Sequence, residues 1–114
     1  MDQDKTVLLD IARAARLIVG FVKETDKAGF LDDIKTQSAV MHQLMVMGEA
    51  VKRLSDEFVD AHGQIPWSLV AKMRDKLIHG YDVVDMEEVW RTATADVPNL
   101  VSLIEPLLPP RLRQ

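Results

Sequence analysis

Apolar residues recur at steps of three and four along almost the whole chain, a spacing that suits helices and that strands cannot use. Val7, Ile11, Ala14, Ile18 and Val22, with Leu8 and Ala15 alongside, make one stripe of a helix from about residue 4 to residue 24. Lys27-Ala28-Gly29 ends it, with Gly29 available for a left-handed cap. Asp32 or Asp33 then supplies the N-cap of a longer second helix that ends near His62-Gly63. Its stripe is Val40, Leu44, Met47, Val51, Leu54 and Phe58, in alternating steps of four and three that suit near-antiparallel neighbours. Met41, Met45 and Gly48 widen that apolar face, so the helix is either central to its own bundle or shared with a second subunit. At Gly48 no side chain stands in the way, and another backbone can approach closely.

Gly63-Gln64-Ile65-Pro66 is the clearest punctuation. Proline is tolerated at a first helical position because its missing N–H would have no partner there. A third helix is therefore expected from Pro66 or Trp67 to Gly80, with Trp67, Val70, Met73 and Leu77 on its buried side. Asp85-Met86-Glu87-Glu88 has the form of a capping box that opens a fourth helix. Val89, Trp90, Ala93, Val97, Leu100, Val101 and Ile104 give that helix its apolar face. Pro98 should kink it, and Pro106, Pro109 and Pro110 stop it. The fold class expected is all-α: an antiparallel four-helix bundle with a kinked last helix.

Length and composition bound the rest. The 114 residues make one domain's worth of sequence, with no linker or repeat, so residues 1–114 are read as a single unit. Cysteine is absent, which excludes disulfides, thiolate metal sites and cysteine nucleophiles. The acidic start Met1-Asp2-Gln3-Asp4-Lys5 is unlike a secretory signal. The longest charge-free run, Thr36 to Gly48, falls short of the roughly 18 apolar residues a membrane span needs. A cytoplasmic protein without membrane association is expected. Fourteen basic against eighteen acidic side chains give a net charge of −4, which argues against a broad nucleic-acid footprint, and no DNA partner is expected.

Most catalytic constellations are missing. The sequence has no glycine-rich phosphate loop, no His-Glu-x-x-His, no Gly-x-Ser-x-Gly and no pair of Glu-x-x-His motifs for a di-metal bundle. His42 and His62 have no helically spaced ligand partner, so no metal or other cofactor is expected. Glu49, between the small residues Gly48 and Ala50, reads as a flank charge or as a buried polar tether of the second helix at a subunit contact. The stretch from Met73 to Asp82 is different, for it gathers Arg74, Asp75, His79 and Tyr81 at the end of the third helix. Two readings are open on physics alone. Arg74 and Lys76 could be charges favoured by the helix dipole, with His79-Gly80 as a cap and Tyr81 as an aromatic at the core edge. Alternatively the four polar side chains form a site. Arg74 and Tyr81, seven apart, share a face if the helix continues that far. Asp75 and His79, four apart, share the adjacent one, where the carboxylate could fix the imidazole tautomer. Arg74 and His79 stand about 140° apart around the axis, so they need the reach of a long Arg side chain, unwinding at Gly80 or a second subunit to converge.

The segment Arg74-Asp75-Lys76-Leu77-Ile78-His79-Gly80-Tyr81 resembles the Arg-x4-His-x-Tyr signature of the HepT family. These are small helical toxins of the HEPN group. Gly48-Glu49-Ala50, Ile65-Pro66-Trp67 and Val84-Asp85 fit the same pattern, and the resemblance runs from about Leu8 to Leu108. It implies a HEPN-like bundle and a metal-independent endoribonuclease, the toxin of a toxin–antitoxin pair. It further implies a homodimer with a composite cleft. The partner it implies is a minimal nucleotidyltransferase antitoxin of the MntA type, which transfers AMP to the motif tyrosine, here Tyr81.

Chemistry asks for the same arrangement. Cleavage by 2′-OH attack needs a base, an acid and positive charge at the phosphorus. Two copies across a two-fold axis offer two His79 and two Arg74, a full set without metal. In this scheme His79 is the base or acid, Arg74 clamps the phosphate and Asp75 orients the imidazole. Lys72 and Lys76 assist RNA binding, and with Arg74 and Asp75 they make a local +2. AMP on Tyr81 adds bulk and negative charge where the RNA backbone must lie. Two other classes compete with the ribonuclease: a non-catalytic helical module that binds a nucleotide or a nucleotidyltransferase, and a plain dimeric interaction bundle.

Overall fold

A computed structural model describes residues 2–79 and 84–113, together with all their side chains except those of Asp2, Ile78 and His79. The helices are α1 (Asp2–Lys23), α2 (Lys27–Leu31), α3 (Ile34–Val51), α4 (Asp56–Ala61), α5 (Trp67–His79), α6 (Met86–Arg91) and α7 (Val97–Ile104). No strand occurs among the described residues, and the fold is all-α as expected. The long helix α3 packs against α1 on one side and α5 on the other, while α7 closes over α1.

The apolar stripes are buried where the spacing predicts. On α1, Val7, Leu8, Ile11, Ala14, Ala15, Ile18 and Val22 are buried, and on α3 so are Val40, Leu44, Met47 and Val51. Fully burying an aliphatic side chain of this kind contributes about 1.5–3 kcal/mol, so these rows dominate the fold's stability. Trp67, Val70 and Leu77 line the inner side of α5, and Trp67 also donates its indole N–H to the His62 carbonyl (3.0 Å).

Three local expectations are corrected. Gly29 is not a left-handed cap. It lies inside the short helix α2, whose N-cap Asp26 accepts from the Gly29 N–H (2.8 Å), and no described glycine has a positive φ. This extra turn places Phe30 in the core, fully buried, with its ring 5.3 Å from that of Trp90.

The second helix is not continuous to His62. It ends at Val51, and the Arg53 and Leu54 N–H groups tighten the last turn onto the Ala50 and Val51 carbonyls. Ser55 then starts α4, its hydroxyl accepting from the Phe58 N–H (3.1 Å). Ser55 also donates twice to the buried Asp4 carboxylate of α1, from its N–H (2.8 Å) and its hydroxyl (2.7 Å). The heptad stripe conceals the break because Leu54, within the break itself, is still buried.

The last helix is also interrupted, as Pro98 predicts, but by a wide turn. Thr92–Asp96 is a π-turn, with the Val97 N–H reaching back to the Thr92 carbonyl. Pro98 thereby falls in the first turn of α7, where its missing N–H is tolerated. Beyond α7, Arg113 donates to the Leu108 and Pro106 carbonyls, and Arg16 of α1 donates to that of Leu112, tying the chain end to the bundle.

Candidate functional site

The motif residues within the description stand where α5 crosses α3. The crossing is made by Gly48. A Cβ built there would overlap the Arg74 Cβ and come within 3.1 Å of the Val70 carbonyl oxygen. The close backbone approach expected at Gly48 is therefore made within the chain, by α5. Because Arg74 lies against this glycine, its guanidinium emerges beside the α3 surface.

Two carboxylates meet it there. Arg74 Nη2 lies 3.1 Å from Glu49 Oε2, and Nη1 lies 3.2 Å from Asp75 Oδ1. The same Asp75 oxygen receives Lys52 Nζ at 2.5 Å. The Lys52 ammonium first, and the Arg74 guanidinium after it, hold the Asp75 carboxyl below the usual carboxylate range. Arg74 is 27% exposed at its side chain, so the cluster is open to solvent. Beside it runs a shallow groove lined by His42, Met45, Val46, Glu49, Arg53 and Arg74.

Within one chain Glu49 lies at the surface. Its side chain is 56% exposed and ties α3 to α5 through Arg74. Lys76 points away from this cluster and pairs with Glu88 Oε1 (2.6 Å), which joins α5 to α6. In place of the expected capping box Asp85 makes a simple N-cap, accepting from the Glu87 N–H (2.9 Å), while Glu88 turns to Lys76. Lys72 is exposed on α5. His79 is the last described residue of that helix, and its imidazole, Gly80 and Tyr81 lie outside the described residues. Of the two other histidines, His62 packs its ring on Phe58 (4.5 Å) and His42 stands on the groove. Among the described residues no group of three His, Cys, Asp or Glu could hold a metal ion, and no helix is long and apolar enough to cross a membrane.

Sequence reasoning missed Lys52. The signal was present, since Gly48, Glu49 and Lys52 lie at steps that put all three on one side of α3.

The same elements are matched by a family model. Residues 11–107, from the middle of α1 to the turn after α7, match the family described as ribonuclease HepT-like. The chain belongs to this family. With that membership the chain is an endoribonuclease. A relative from Thermococcus cleftensis, named "Probable ribonuclease HepT", is 45% identical over 90% of this chain and 94% of its own length. A Methanocaldococcus jannaschii protein named "Putative RNase" is 38% identical over 91% of this chain and 86% of its own. Another of that name, from Caldanaerobacter subterraneus subsp. tengcongensis, is 32% identical over 95% and 96%. No solved structure matches the chain.

Proposed function

We propose that the chain is the ribonuclease toxin of a toxin–antitoxin pair and cuts RNA without a metal. The observation that carries this reading is Arg74, half-buried against Gly48 yet open to solvent, in a family of ribonucleases. Two copies form the active cleft. One His79 takes the proton of the ribose 2′-OH as its oxygen attacks phosphorus. The other His79 protonates the 5′-oxygen as the P–O5′ bond breaks, leaving a 2′,3′-cyclic phosphate and a 5′-hydroxyl. Arg74 stabilises the charge that develops on the phosphorane oxygens. Asp75 steadies the imidazole from its place one helical turn before His79, and exposed Lys72 adds attraction for the RNA backbone, whereas Lys76, expected to share that task, is held on Glu88 of α6.

Control falls to Tyr81. Its phenolic oxygen attacks the α-phosphorus of ATP on an MntA-type nucleotidyltransferase, losing its proton as pyrophosphate leaves. The AMP ester then repels RNA from the cleft. The setting of such a pair is the cytoplasm.

Purified protein should cut RNA in the presence of a chelator and sediment as a dimer. His79→Ala or Arg74→Ala should lower the rate by roughly a hundredfold or more, as the loss of a transition-state donor does, with the helical spectrum unchanged. Cleavage by His79→Ala at the normal rate would refute the mechanism. If neither wild-type protein nor variant cuts RNA while the wild type still binds its nucleotidyltransferase, the non-catalytic module is the right reading.

A further inference from the structure

The guanidinium that this reading assigns to phosphate is already flanked by two carboxylates. Glu49 and Asp75 on a single Arg74 leave a local charge of −1, and a phosphodiester approaching it would meet net repulsion. Lys52 removes that excess. Its ammonium sits on the very Asp75 oxygen that Arg74 also uses, so the four side chains sum to zero.

We propose that Lys52 is a positioning residue for RNA binding, which holds and neutralises Asp75 so that the charge of Arg74 stays available to a phosphodiester. The inference rests on the reading of Arg74 as the phosphate clamp. A guanidinium has five N–H donors, and among the described residues two ion pairs engage one nitrogen each of Arg74. The geometry of Lys52 is set by the fold. It is the C-cap residue of α3, placed opposite α5 by the helix ending at Val51. Had α5 packed farther away, as any side chain at position 48 would require, Lys52 and Asp75 could not meet as they do.

A plain structural ion pair is the competing account, and the two part on what they predict. Lys52 is 39% exposed and Asp75 46%. Exposed pairs contribute little to stability, so removal of Lys52 should barely move the melting temperature. Its effect should appear in RNA binding, because an uncompensated negative charge remains beside Arg74.

The test uses the full chain and a short single-stranded RNA with 2′-O-methyl groups, which can bind but cannot undergo 2′-OH attack. Lys52→Met should weaken binding roughly tenfold, a change of the kind expected when a charge at a binding surface is lost. In cleavage of unmodified RNA it should raise KM more than it lowers kcat. Lys52→Arg should bind as wild type does. The double variant Lys52→Met with Glu49→Gln, which returns the cluster to zero charge, should recover most of the lost affinity. A structural pair would show no such recovery. Circular dichroism melts check folding, and Lys52→Gln repeats the measurement should the methionine variant fold poorly. Unaltered binding by Lys52→Met, or a double variant no better than the single one, would overturn the inference. Wild-type protein that neither binds nor cuts RNA would instead bring down the assignment of Arg74, and this inference with it.

Discussion

The helix α3 serves two neighbours in opposite ways. Along its buried row, Val40, Leu44, Met47, Ala50 and Val51 pack against apolar side chains, and none needs a particular partner atom. Along the edge that meets α5, Gly48 has no side chain at all, while Glu49 and Lys52 reach specific atoms of Arg74 and Asp75. The first face stabilises by area removed from water, which tolerates substitution of similar volume. The second does not. It places charges within about 3 Å of one another, where a small displacement of the backbone separates them. A helix can therefore hold the fold with one side and an electrostatic device with the other, and the two sides should fail differently when altered.

The largest stability effect should come from the core. Phe30→Ala, at a fully buried ring packed near Trp90, should lower the unfolding free energy by about 3–5 kcal/mol, measured in urea. The fraction that stays folded should still cut RNA at the wild-type rate per molecule. A loss of specific activity in that fraction would erase the distinction between the two faces. Gly48→Ala sharpens the comparison. Alanine raises helix propensity by about 1 kcal/mol, yet its methyl group must displace Arg74, and overpacking of this kind costs about 1–3 kcal/mol. The expected result is a modest fall in melting temperature with a much larger fall in RNA cleavage. Wild-type cleavage in Gly48→Ala would show that the close crossing does not position Arg74.

The smallest effect concerns pH. Asp4 binds the Ser55 N–H and hydroxyl, which favour its charged form and lower its folded pKa. Its contribution to stability is accordingly complete above the unfolded value of about 3.9 and is lost as pH falls from there through the lower folded value. Asp4→Asn should melt at a lower temperature than wild type at neutral pH, and its deficit should shrink below about pH 4. A deficit independent of pH would mean that the Asp4–Ser55 joint acts by shape and not by charge.

Much of the fold was legible in the residue spacing. The α1 stripe and the Pro66-Trp67 start of α5 were readable because burial imposes a period on helices that lie against a core. The break between α3 and α4 escaped because Leu54 keeps the period, even though Ser55-Asp56-Glu57 has the residue types of a helix start. The α2 turn escaped because five residues are too few to show a period. At the site, the linear motif marked Arg74 and Asp75, which are adjacent in sequence. The helical steps set Lys52 beside Gly48 and Glu49, but it lies 23 positions from Asp75, and no local pattern links those two.

By itself the sequence determined the helical class, the buried rows and the presence of an Arg-Asp-x3-His-x-Tyr motif, because each depends on neighbours within a turn or two. The tertiary structure decided which charges meet. Gly48 lets α5 approach α3, and that approach sets Glu49, Arg74, Asp75 and Lys52 into one cluster. Ion pairs act through distance in space, and only the packing of the two helices sets that distance.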